Sequence, residues 1–81
     1  MLNNFLNKNI PNTIWRTRYD NKNLISCATC RGEGFSAKVT ETTEGYAYHI
    51  KGKDSVYRNK VNNLDELISD VTTIFNTLDN D

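Results

Sequence analysis

The stretch FSAKVTETTEGYAYHIK, residues 35–51, holds two alternating runs around a polar break. In the first run Phe35, Ala37 and Val39 have one parity, and Ser36, Lys38 and Thr40 have the other. In the second, Tyr46, Tyr48 and Ile50 oppose Ala47, His49 and Lys51. A period of two marks a strand that buries one face and exposes the other. The polar residues 42–45 between the runs read as a hairpin loop. The stretch therefore predicts an antiparallel hairpin with an apolar side and a polar side.

Outward from this hairpin the pattern continues. Residues 14–19 alternate Trp15, Thr17 and Tyr19 against Ile14, Arg16 and Arg18. Residues 20–23 (Asp-Asn-Lys-Asn) read as a turn, and 24–30 as a strand without clean alternation. Arg31-Gly32-Glu33-Gly34 reads as the next turn, and Gly52-Lys53-Asp54 as another. A last strand near 55–61 sets Tyr57 and Val61 against Val56, Arg58 and Lys60. Connections this short make neighbours in sequence neighbours in the sheet, so the strands form an antiparallel meander of four or five.

Helices close both ends. Leu64, Leu67, Ile68, Val71, Phe75 and Leu78 recur at helical spacing, which predicts a helix over 64–78. Asn63 suits the N-cap, and Glu66 can return a hydrogen bond to it, as in a capping box. Leu2, Phe5 and Leu6 share a face in a shorter segment over 2–8, ahead of Pro11. A helix of that length is stable only when docked. The expected architecture is a small two-layer α+β sandwich. An antiparallel four- to five-stranded sheet has the C-terminal amphipathic helix packed on one face, and a short N-terminal helix precedes it. The chain of 81 residues leaves room for one such domain.

If the last helix covers Trp15, Tyr19, Phe35, Val39, Tyr46, Tyr48, Ile50 and Tyr57, the other face carries Arg16, Arg18, Lys38, His49, Lys51, Arg58 and Lys60. The expectation rests on register, since a one-residue slip moves a strand's charges to the other side. These seven groups are the candidate partner-binding residues. Net charge is zero, yet all ten Lys and Arg lie within 1–60 and half of the ten acids lie within 61–81. The total conceals a dipole of +5 against −5.

Two cysteines remain. Cys27-Ala28-Thr29-Cys30-Arg31-Gly32-Glu33-Gly34 has the pattern C-x-x-C-x-G-x-G. It resembles one repeat of the zinc-binding cysteine-rich region of DnaJ-type chaperones. That resemblance covers eight residues and implies Cys27 and Cys30 as two thiolate ligands to a tetrahedral zinc. One copy supplies two of the four ligands. The rest would come from His49 with a carboxylate or water, or from a second chain in a zinc-linked homodimer. Farther on, the strand running into Asn63-Leu64-Asp65-Glu66-Leu67 is similar to the end of antitoxins of the HicB class, a shape many small α+β domains share.

Several function classes find no motif. There is no Gly-rich phosphate loop ahead of a helix, no G-x-S-x-G and no H-E-x-x-H, so no catalytic residues and no enzyme activity are expected. No apolar run is long enough to span a membrane, and residues 1–10 lack a signal-peptide pattern, so a cytoplasmic protein is expected. Twelve Asn residues fit AT-rich coding of bacterial or phage type. The function expected is that of a small non-enzymatic binding protein. It would be a phage or mobile-element inhibitor or modulator that engages a host protein or nucleoprotein complex through charged surfaces. The alternatives are a nucleic-acid-binding regulator using the basic face and the zinc-linked homodimer.

Overall fold

In the computed structural model, residues 2–20 and 25–79 are described. The element order is α1 (Leu2–Asn9), β1 (Arg16–Asp20), β2 (Ile25–Gly32), β3 (Phe35–Thr42), β4 (Gly45–Lys51), β5 (Val56–Val61) and α2 (Leu64–Asp79). The five strands form one antiparallel sheet in the order β1-β2-β3-β4-β5, the meander that the short turns predict. The turn expected over 20–23 falls, after Asp20, outside the described residues, as does Leu24.

Both helices lie on the same face of the sheet. α1 packs against β1 and β2, and α2 packs against β4 and β5. Between them they close one core built from Leu2, Leu6 and Ile10, Trp15, the inward strand residues Ala28, Cys30, Ala37, Val39, Tyr48, Ile50 and Val61, and Leu67, Val71 and Ile74 of α2. Leu6, Trp15, Val39, Ile50, Leu67 and Val71 are fully enclosed. Phe75 joins the layers, with its ring centroid 6.1 Å from that of Trp15 and 5.3 Å from that of Phe35. Aromatic pairs at such separations and tilts add to the burial of their area.

The helix termini follow elementary capping chemistry. Asn63 Oδ1 accepts the Glu66 backbone N–H at 2.9 Å, and the Leu67 N–H donates to the Asn63 carbonyl at 3.1 Å, so Asn63 is the N-cap of α2. Glu66 returns its bond one residue earlier than the capping box predicts, accepting the Asn62 N–H at 3.1 Å. At the other end of the chain α1 is fastened to the sheet by one side chain. Asn7 accepts the Trp15 N–H at 2.6 Å and donates to the Trp15 carbonyl at 3.0 Å. The indole N–H of Trp15 donates to Thr13 Oγ1 at 2.9 Å, and that hydroxyl donates to the Ile10 carbonyl at 2.8 Å. The connection from α1 to β1 is thus satisfied group by group around the largest buried side chain.

One turn lies elsewhere than the sequence predicts. Arg31 and Gly32 belong to β2, pairing with Ser36 and Phe35, and the connection to β3 is only Glu33 and Gly34. Gly34 takes a left-handed φ of 82°, which a glycine adopts without strain. Gly32 is needed for a different reason. A Cβ placed there would lie 2.1 Å from the Phe35 ring, so the absent side chain is the niche that the ring occupies.

Candidate functional site

Cross-strand partners in an antiparallel sheet project to the same side. Three rows of partners therefore define the face that the helices leave open. The middle row reads Arg16, Thr29, Lys38, His49, Arg58 from β1 to β5. One step along the strands lies Arg18, Cys27, Thr40, Ala47, Lys60, and one step the other way lies Arg31, Ser36, Lys51, Val56. Six of the seven residues expected on this face, Arg16, Lys38, His49, Lys51, Arg58 and Lys60, sit there and are exposed. Arg18 holds a register position of the same face, opposite Cys27.

Arg31 joins them and was missed in the sequence. The flanking Gly32 and Gly34 made the segment read as a turn, whereas Gly32 serves ring packing inside a strand. The signal that could have found Arg31 was the two-residue parity running from Thr29 through the presumed turn. The aromatic residues go the other way. Trp15 and Tyr48 are buried and Phe35, Tyr46 and Tyr57 are half-buried under the helices, as the alternation predicts. Tyr19 holds a register position opposite Ser26.

Charge is segregated between the two sides. Among the strand acids, Glu41 belongs by register to the helix side, opposite Tyr46, and Asp20, two residues beyond Arg18, holds a register position of the open face at the far end of β1. Across β3, β4 and β5 the open face carries no carboxylate. Lys38, His49 and Arg58 stand directly opposite one another there, and Lys51 lies on the diagonal to both Lys38 and Arg58, close enough for like charges to repel. Around them is a shallow trough of about 560 Å³, lined by Lys38, Thr40, Ala47, Tyr48, His49, Arg58, Asn59 and Lys60. The small side chain of Ala47 leaves the trough room at its middle.

On the opposite side α2 contributes acids and no base. Asp65 and Glu66 are exposed in its first turn, at the positive end of the helix dipole. Asp70 accepts a hydrogen bond at 2.9 Å from the hydroxyl of the buried Tyr48. Burial, together with the neighbouring Asp70 carboxylate, holds the Tyr48 phenol above its ordinary pKa. The polar tip of an inward-facing tyrosine thus finds its partner at the edge of the helix layer.

Strand parity separates the cysteines. Positions three apart in a strand point to opposite sides. Cys27 accordingly lies on the open-face side, buried opposite Thr40, and Cys30 lies in the core opposite Ala37. No disulfide joins them. Burial pushes the Cys30 thiol up from its ordinary pKa, partly offset by the Ile14 backbone, and a thiol so placed is a poor ligand and nucleophile. A zinc knuckle closing on both sulfurs would require β2 to abandon its pairing over these residues. Among the described residues no cluster of three or more His, Cys, Asp or Glu is arranged to hold a metal.

Among the described residues, no helix is long and apolar enough to cross a membrane. Comparison of the chain with known protein families, with curated proteins and with solved structures gives no match.

Proposed function

We propose that this chain is a non-enzymatic binding protein and that its open sheet face is the contact surface for an anionic macromolecular partner. The observation that carries this reading is the composition of that face. Cations from all five strands share it, and Lys51 lies on the diagonal to both Lys38 and Arg58, within the range where like charges repel. A surface kept at a cost to the fold is a candidate for function. An approaching partner of negative charge relieves the repulsion and is steered by the same field. The trough is wide and shallow, suited to docking a surface and poorly suited to excluding water from a reaction.

In the setting expected from the sequence, the partner is a host protein or nucleoprotein complex and the chain modulates it. The test compares two charge-reversed variants. Lys38→Glu, Lys51→Glu and Arg58→Glu together alter the open face. Asp65→Lys and Glu66→Lys alter the helix side. Partners captured by the unaltered protein are identified by mass spectrometry, purified and titrated calorimetrically against both variants. The open-face variant should lose at least tenfold in affinity while the helix variant retains it. Full affinity in the open-face variant, with its fold intact by circular dichroism, would sink the proposal.

A further inference from the structure

We infer that the trough across β3, β4 and β5 takes the phosphate backbone of double-stranded nucleic acid, held by Lys38, Arg58 and Lys60 without reading the bases. The inference rests on the open face being the contact surface, and it names the chemistry of the partner there.

Three features of the face select among anions. The first is the absence of aromatic anchors. Protein interfaces concentrate their binding energy in Trp, Tyr and Arg seated among apolar neighbours. Here Trp15, Phe35, Tyr46, Tyr48 and Tyr57 all face the helices. Tyr48 borders the trough beside Ala47, but it is buried and its hydroxyl is held by Asp70, so it offers no exposed ring to a partner. What remains is a set of cations with the hydroxyl of Thr40 among them, the groups that typically contact phosphate oxygens.

The same absence bears on strandedness. Single strands are bound through base stacking on exposed aromatics, worth about 1–3 kcal/mol per base. This face offers no such platform, so a single strand gains only its charge. A duplex presents one charge per about 1.7 Å of axis, twice the density of one strand. The duplex is therefore the better ligand.

The third feature is breadth. Four strand spacings of about 4.8 Å give a face about 19 Å wide, against a major groove of about 12 Å. The groove admits a helix or a two-stranded ribbon, and a five-stranded face cannot enter it. Lys38 and Arg58, two strands apart, stand about 10 Å from one another at the backbone. They span the trough as a pair of point charges resting on the ridge of the duplex. Among the described residues no Asn or Gln, the side chains that read adenine, holds a register position on this face. Asn59, which borders the trough, belongs by register to the helix side, its side chain engaged by the Lys60 N–H and by Tyr48. Contact is thus with phosphate, and sequence preference is absent.

Fluorescence anisotropy with the full chain tests this. The probes are two labelled duplexes of unrelated sequence and the single strand of one of them. The two duplexes should bind equally, and more tightly than the single strand. Three phosphate contacts give a slope of log K against log salt of about −2.7, or about 40-fold weaker binding between 50 and 200 mM salt. Lys38→Gln, Arg58→Gln and Lys60→Gln should each flatten the slope by about 1. Ala47→Glu, which sets a carboxylate in the middle of the trough, should abolish binding. Arg16→Gln with Arg31→Gln, on the other half of the face, should leave the slope in place. No duplex binding at 50 mM salt, preference for the single strand, or equal loss in the Arg16 and Arg31 variant overturns the assignment. If duplex binding is absent but the open-face reversal still destroys partner capture, the phosphate assignment alone falls. If capture survives that reversal, the reading beneath it falls.

Discussion

The two faces of this sheet are made by the same strands, yet they answer to different demands. On the helix side each position is fixed by its neighbours. Trp15 is enclosed by α1, the sheet and Phe75, and its backbone is clasped from both directions by Asn7. On the open side Lys38, Lys51 and Arg58 touch solvent and repel one another. The first face holds the fold together, and the second is held in place by it. Substitutions should therefore separate the two faces cleanly, with stability changing on one and binding on the other.

The largest effect is expected at Trp15. Trp15→Ala removes the largest enclosed side chain and should cost about 3–5 kcal/mol. That is a large share of the 5–15 kcal/mol typical of a domain, so urea denaturation should show a protein close to its folding threshold. A loss below about 1 kcal/mol would mean that the helices do not close over the sheet as described.

Tyr48→Phe is expected to cost less, about 1 kcal/mol, because the hydroxyl's bonds to Asp70 and Asn59 are lost while the ring stays in place. Its signature is in the pH dependence. The folded Tyr48 keeps its proton to higher pH than the unfolded chain does. The native state therefore binds more protons above the ordinary phenol pKa, near 10. Stability from this group is fully present below that pH and is lost as pH rises through the folded value. Cys30 acts in the same direction from the ordinary thiol range upward. Thermal melts at alkaline pH should show the decline, and in Tyr48→Phe its upper part should flatten. An unchanged profile would detach Tyr48 from Asp70.

The smallest effect sharpens the contrast most. Arg58→Gln should move stability by no more than about 0.5 kcal/mol, and toward greater stability, since it relieves the repulsion with Lys51 on the diagonal of β4. A clear destabilisation in chemical denaturation would make this arginine part of the scaffold and weaken the division between the faces.

What could be read from the sequence follows the same division. Alternation in residues 35–51 assigned both faces of β3 and β4 correctly, because each strand buries one side only. The stripe from Leu64 to Leu78 located α2, and Asn63 located its cap. Arg31 was lost because a glycine in sequence is ambiguous. Gly34 turns the chain, whereas Gly32 makes room for Phe35, and only packing distinguishes them. The C-x-x-C spacing is ambiguous for a related reason. In a turn it gathers two sulfurs, but in a strand it places them back to back, and composition does not say which applies. The shared cover of α1 and α2 was likewise invisible, since a helix's neighbours are not written in its own periodicity.

The meander has a consequence for how the molecule assembles. Each strand pairs with the one just made, so the sheet can grow hairpin by hairpin with little loop-closure entropy at each step. Topologies with mostly local pairing fold quickly for their size. The part of the cover over β4 and β5 is α2, which follows every strand in the chain. During synthesis its 16 residues take roughly 1–3 s to be added. For that interval Tyr48, Ile50 and Val61 lie under no roof, and the nascent sheet is most exposed to a chaperone or to a second nascent chain.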